Sequence, residues 1–271
     1  RRWAKPEIGQ QGLEFGVWIE AAALGVSAQV ANDQPEIVAR DADGASLGYV
    51  CLASAAGRAR VLEQVRALTS QTRARWIKWD FNLDPGVGCR RAHHGHAPEA
   101  GLREHYESLY AIFDTLRSEF PDTVWEACAS GGLRIDAGLA AHVDGFFLSD
   151  PDWTEHHLGV FWGAAQLLPA RQILHWVQRE WRGEHRFQKV DYSGTLLTSS
   201  AFDTKVRAAM LHRFGVSVRL TEMRPDLTER LRAHLQVWKQ TLRPLLDSGT
   251  LRALTEQPLH GLHIRTSRDR E

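Results

Sequence analysis

The segment Trp76-Ile-Lys-Trp-Asp-Phe-Asn82 alternates apolar and polar side chains. In an extended strand, alternate residues share a face, so Lys78, Asp80 and Asn82 point one way and Ile77, Trp79 and Phe81 the other. An ammonium, a carboxylate and an amide on a packed strand are costly to bury unless they pair or do chemistry. The Lys78 charge favours the ionised form of Asp80. An ionised carboxylate at a strand end can serve as a nucleophile. A second carboxylate, Asp150, stands in Phe147-Leu-Ser-Asp-Pro-Asp152, where a strand gives way to a turn. Asp152 is suited to cap the helix that follows, and either aspartate can serve as the proton donor. Two carboxylates flanking one bond are what glycoside hydrolysis requires. A gap of ~5 Å goes with retention and ~6.5–9.5 Å with inversion. In Trp125-Glu-Ala-Cys-Ala-Ser-Gly-Gly132, the paired glycines let the backbone approach a ligand closely. Cys128 there fits either a packed core or a pocket wall.

These residues need a scaffold of strand ends. Apolar strands alternate with helical patterns, as in βα units on a parallel sheet. The patterns predict strands at 13–20, 76–82, 123–128, 145–149, 172–177 and 216–221, with a stub at 50–52. Helices are predicted at 58–69, 101–118, 134–142, 154–168, 200–214 and 226–243. Residues 83–99 read as a Gly/Pro/His loop and 179–195 as a polar loop, with Arg179–Arg186 a solvated surface. That makes about six units where a closed (β/α)8 barrel has eight. The expected class is α/β, either a TIM-type barrel or part of one, or an open doubly wound sheet. The first βα turn lacks the GxGxxG phosphate loop of a dinucleotide fold.

The chain of 271 residues carries 33 Lys+Arg and 33 Asp+Glu, a formal balance of zero. That removes the main argument for a nucleic-acid or anionic-membrane partner. A homo-oligomer is left open. No apolar run is long enough to span a bilayer, and Arg1-Arg2-Trp-Ala-Lys-Pro6 is not an apolar leader. The expected compartment is the cytoplasm, with secretion or a periplasmic location left open. Ten Trp is a high count, and Trp faces stack on sugars. Trp153, beside Asp150, is the best stacking candidate; Trp162, Trp176 and Trp181 are assigned to the core. Three Cys without a CxxC pair argue against a structural zinc site, and no cofactor is expected. His93-His-Gly-His96 offers a different reading, a metal-dependent hydrolase with His93 and His96 as ligands. A glycan-binding barrel without turnover is another.

KWDFN, CASGG-x-R-x-D and the strand-end Ser-Asp resemble glycoside hydrolase family 36, the melibiase-type α-galactosidases. That family's patterns run close to KWDMNR, CASGGGRFD and SDNTD. Gly12-Leu-Glu-Phe-Gly-Val-Trp-Ile-Glu20 is similar to its GLKFGLWFEPE strand, and Gly215–Thr221 to its last barrel strand. Ala21-Ala-Ala stands where the family has Pro-Glu-Met. The resemblance implies a TIM barrel over 1–248, with its first strands absent, and the start of a C-terminal β-domain over 249–271. It implies retaining hydrolysis of α-galactosyl-type residues, with Asp80 as nucleophile and Asp150 as acid/base. It further implies sugar contacts from Trp18, Lys78, Asn82, Cys128, Gly131 and Gly132, and a carbohydrate substrate.

Overall fold

The computed structural model describes residues 9–150, 154–178, 191–253 and 264–266. Asp152, Trp153, Trp181 and the Arg179–Arg186 segment lie outside the described residues. The chain divides into two compact units, Arg1–Asp144 and Gly145–Glu271.

The first unit runs β1 (Gly16–Ile19), β2 (Val38–Arg40), β3 (Ser46–Val50), α1 (Ala55–Thr72), β4 (Trp76–Trp79), α2 (Gly101–Glu119) and β5 (Val124–Ala127). β4 lies between β1 and β5, and both pairings are parallel. One face of β4 packs on helices. Ile77, Trp79 and Phe81 are buried there, and the Trp79 ring sits 5.1 Å from that of Phe113. The helices supply Val61 and Val65 from α1 and Leu109, Ile112, Phe113 and Leu116 from α2, all buried at helical spacing. Each such side chain contributes about 1.5–3 kcal/mol by leaving water. Ser54 caps α1, its Oγ accepting from the Gly57 N–H at 3.1 Å.

β2 and β3 form an antiparallel hairpin, which corrects the expectation of a short strand at 50–52. Its turn is built by Asp41, whose Oδ1 accepts from the Asp43 and Ala45 N–H groups at 3.0 and 2.8 Å. The predicted helix 134–142 reduces to one 3-10 turn, Leu139–Ala141. Gly131-Gly132 and the Asp136 cap on the Leu139 N–H (2.9 Å) hold the remainder in turns.

The second unit runs β6 (Gly145–Phe147), α3 (Thr154–Ala164), β7 (Ile173–Gln178), α4 (Ser199–Ala209), β8 (Arg213–Ser217), α5 (Pro225–Val237) and α6 (Arg243–Ser248). β6–β7 and β7–β8 are again parallel. Phe202 and Val206 of α4 and Leu227 and Leu231 of α5 bury against Val177 and Tyr192. β8 begins three residues before the expected strand, because α4 ends at Ala209 rather than 214. The helix predicted over 226–243 widens into a π turn at Trp238–Leu242, just before Pro244 removes a backbone donor. Beyond it, β9 (Leu251–Ala253) pairs antiparallel with β10 (Ile264–Thr266). Among the described residues no helix is long and apolar enough to cross a membrane.

Candidate active site

The parallel register sets Trp18 opposite Lys78, and Lys78 opposite Glu126. These three residues from three strands therefore form one row on the face away from the helices. One step along the same face, at the C-terminal ends of the strands, come Glu20, Asp80 and Cys128. The ladder continues there, with the Asp80 N–H donating to Ile19 O and the Cys128 N–H to Trp79 O, at 2.8 and 2.9 Å.

Asp80 is buried. Its Oδ2 accepts from Trp18 Nε1 at 3.0 Å and its Oδ1 from the Phe81 N–H at 2.8 Å. The Trp18 indole is 55% exposed, so one end of it meets the carboxylate while the ring is open to solvent. Cys128 is buried beside Asp80. Desolvation, and then the negative carboxylate, push its thiol up to about 12, which favours the neutral thiol over a nucleophilic thiolate.

Glu126 was not among the residues anticipated from sequence. Reading Lys78 as a partner for Asp80 left out this carboxylate, whose Oε1 lies 3.3 Å from Lys78 Nζ. Its Oε2 accepts from Trp76 Nε1 at 2.6 Å. Burial outweighs the attraction of Lys78 and raises the Glu126 pKa. The signal was present in the sequence. The period-2 rule applied to 124–128 puts Glu126 and Cys128 on one face, as it does Lys78 and Asp80.

Asn82 lies just past the strand end. Its Nδ2 donates to Glu20 Oε1 at 2.7 Å, and its Oδ1 accepts from the Ser130 N–H at 2.8 Å. The amide thus ties the β1 end to the Cys128–Gly132 turn. In that turn Ser130 (φ 45°) and Gly131 (φ 85°) are both left-handed. The Ala129 N–H donates to Gly131 O at 2.9 Å, and Ala129 bridges Gly132. Two further members of this motif have structural work. Arg134 is buried with its guanidinium 4.0 Å over the Phe81 ring. Asp136 also accepts from Tyr110 OH at 3.2 Å. A cavity of about 490 Å³ opens here, lined by Asn82, Asp84, Tyr106, Ser130, Leu133 and Arg134 among others.

Asp150 belongs to the second unit, half-buried, three residues past β6. The residue before it is anchored by two histidines. His175 Nε2–H donates to Ser149 O at 2.8 Å, and His156 Nε2 hydrogen-bonds Ser149 Oγ at 3.1 Å.

The metal reading needs correction. His93 is exposed, with φ 55°, and the imidazoles that converge are His94 and His96. They meet Cys51 and Cys89, and the four donor atoms lie within 4.8 Å of one another. The missing CxxC spacing was no argument against such a cluster.

The Melibiase family model matches residues 4–249. The chain belongs to the melibiase family. Similar curated proteins include a probable α-galactosidase C of Aspergillus flavus, 28% identical over 144 residues, which are 51% of this chain and 18% of that protein. Another is the α-galactosidase Mel36A of Lactobacillus acidophilus, 22% identical over 253 residues, 90% of this chain and 32% of that one. Among solved structures, a variant of the GH36 α-galactosidase AgaA of Geobacillus stearothermophilus, in complex with raffinose, superposes with a TM-score of 0.78. It is 18% identical, over 93% of this chain and 34% of that chain. The galactosidase domain of AgaSK gives a TM-score of 0.75 at 20% identity, over 92% and 33%. These likenesses give the fold as α/β, an incomplete barrel of the (β/α)8 type. The chain spans less than a quarter of the fungal relative and about a third of the solved structures.

Proposed function

We propose that the protein carrying this chain is a retaining glycoside hydrolase acting on terminal α-galactosyl-type residues. The observation that carries the reading is the seat of Asp80. It is a buried carboxylate at the C-terminal end of a parallel strand, oriented by Trp18 Nε1 and the Phe81 N–H, with Lys78 and Glu126 one row beneath. Catalytic groups of barrel enzymes occupy that edge. Membership of the melibiase family supports the same reading, as do the names of the relatives.

In this reading one Asp80 oxygen attacks the anomeric carbon and the glycosidic C–O bond breaks. Asp150 gives its proton to the departing oxygen. Water then attacks the glycosyl–Asp80 ester, losing a proton to Asp150, and releases the sugar with its original configuration. Trp18 presents an indole face to the sugar, Lys78 and Asn82 offer donors to its hydroxyls, and Cys128 with Gly131-Gly132 forms the wall.

Aryl α-galactosides test this directly. Asp80→Ala is expected to abolish turnover, and azide is expected to restore it with release of the β-galactosyl azide. Asp150→Ala is expected to lose about 10²–10⁴-fold on poor leaving groups and little on activated ones. Equal loss on both would remove Asp150 from the acid role. Saccharide binding without product, unchanged by Asp80→Asn, would favour the glycan-binding alternative.

A further inference from the structure

Cys51 is the first residue after β3, and Cys89, His94 and His96 sit in the loop between β4 and α2. Cys51, Cys89 and His94 are buried. Cys51 Sγ is 3.4 Å from His96 Nε2, and Cys89 Sγ is 3.4 Å from His94 Nδ1. Zinc held at about 2.3 Å from sulfur and about 2.0–2.1 Å from nitrogen in a tetrahedron sets S···N edges of roughly 3.5 Å.

The orientation of the rings carries the argument further. His94 Nε2 faces the Glu36 carbonyl, and His96 Nδ1 faces the Ala97 carbonyl at 3.0 Å. A carbonyl oxygen only accepts, so those nitrogens carry the protons. The lone pairs are therefore on His94 Nδ1 and His96 Nε2, the two atoms turned toward the sulfurs. A ligating imidazole whose other N–H is held by a backbone carbonyl is the usual second-sphere arrangement of zinc sites. The backbone positions of both sulfurs are fixed as well. A Cβ on Gly57 would come 2.1 Å from Cys51 O, and one on Gly101 would come 2.1 Å from Cys89 O. Those two glycines let the first turns of α1 and α2 close directly onto the cysteine segments.

We propose that Cys51, Cys89, His94 and His96 form a structural Zn²⁺ site. Four protein ligands leave no open position for water or substrate, so the metal does not perform hydrolysis. Its work is to staple the loop that follows Asp80 to the β2–β3 hairpin, because Cys51 adjoins β3 and the Cys89 sulfur accepts from the Arg40 N–H at 3.4 Å. The same loop supplies Asp84, Pro85 and Gly86 to the cavity wall. The proposal stands independently of the glycosidase reading, and its readouts do not involve sugar.

The test is metal analysis of the purified full chain, followed by chelation and reconstitution with Co²⁺. One zinc per chain is expected. Chelation should free two thiols to a thiol reagent, and Co²⁺ should then give thiolate-to-cobalt charge-transfer and tetrahedral d–d bands. His93→Ala should keep the metal, whereas His94→Ala should lose it. Three results would overturn the assignment: protein that takes up neither zinc nor cobalt, a Cys51–Cys89 disulfide in the isolated protein, or stoichiometric iron in place of zinc. Because the cobalt spectrum and the thiol count are read on the unaltered chain, a His94 variant that fails to fold does not remove the test.

Discussion

The two compact units differ in how their buried polar groups pair. The first hides charge: Lys78 and Glu126 face each other at 3.3 Å with side chains 9% and 1% exposed. The second hides neutral rings. His157 Nε2–H is shared between Ala208 O at 3.3 Å and His212 Nε2 at 3.0 Å, while His212 Nδ1–H donates to Arg213 O at 2.6 Å. His157 and His175 rings lie 4.2 Å apart. A buried ion pair is secure only while both members are present. A nest of imidazoles is secure only while none of them is protonated. The imidazole nest also holds the end of β6, through the His175 N–H on Ser149 O.

The sharpest way to break this comparison is to remove one charge. Glu126→Ala removes the carboxylate that faces the buried Lys78 and is expected to cost about 3–5 kcal/mol of unfolding free energy in chemical denaturation. Acid should act through the buried imidazoles. Burial lowers His157 well below its ordinary value and His212 to about 4. The unfolded chain therefore binds these protons first as pH falls. The stability these groups contribute is complete above about 6.5 and is lost toward 4, by roughly 3 kcal/mol for His212 alone. Glu126 has the reverse sign, because its raised pKa contributes stability at low pH that is lost as pH rises. Protection against hydrogen exchange, corrected for the intrinsic rate, should fall on peptides of α3 and β8 between pH 6.5 and 4.5, while with His105→Phe in place that of β4 and β5 should hold. Equal loss of protection in both would dissolve the contrast. A milder probe is Lys78→Met, expected to cost about 1–3 kcal/mol, less than the loss at Glu126, since the remaining carboxyl can protonate. The smallest effect is expected at His105, which burial lowers to about 3 and whose two ring nitrogens find no partner among the described residues. It packs edge-on to Tyr49, so His105→Phe should leave stability within about 1 kcal/mol or raise it. It should also remove a source of acid sensitivity from the first unit.

Local patterns carried much of this into view from the residues alone. Alternation over 77–82 located β4, its buried face and the polar row, because a strand's period does not depend on its neighbours. What escaped depended on pairing. Glu126 gains meaning only when β5 is laid in register beside β4. The β2–β3 hairpin is hidden by an Ala/Asp/Gly-rich stretch whose turn is made by the Asp41 side chain rather than by apolar periodicity. The Cys/His cluster draws its ligands from two segments 38 positions apart, between Cys51 and Cys89, so no spacing rule reaches it. The start of β8 was missed because apolar residues continue from α4 into the strand without a breaking Pro or Gly before Gly215.

The cross-strand row of Trp18, Lys78 and Glu126 also limits which length changes the molecule tolerates. Deleting or inserting one residue within β1, β4 or β5 would turn that strand's side chains over. The indole would go into the core, or a buried tryptophan out to the polar face, and a single event would erase packing and chemistry together. Loops between these strands face no such parity rule, so inherited variation in length is expected to collect there, with the strands keeping their count.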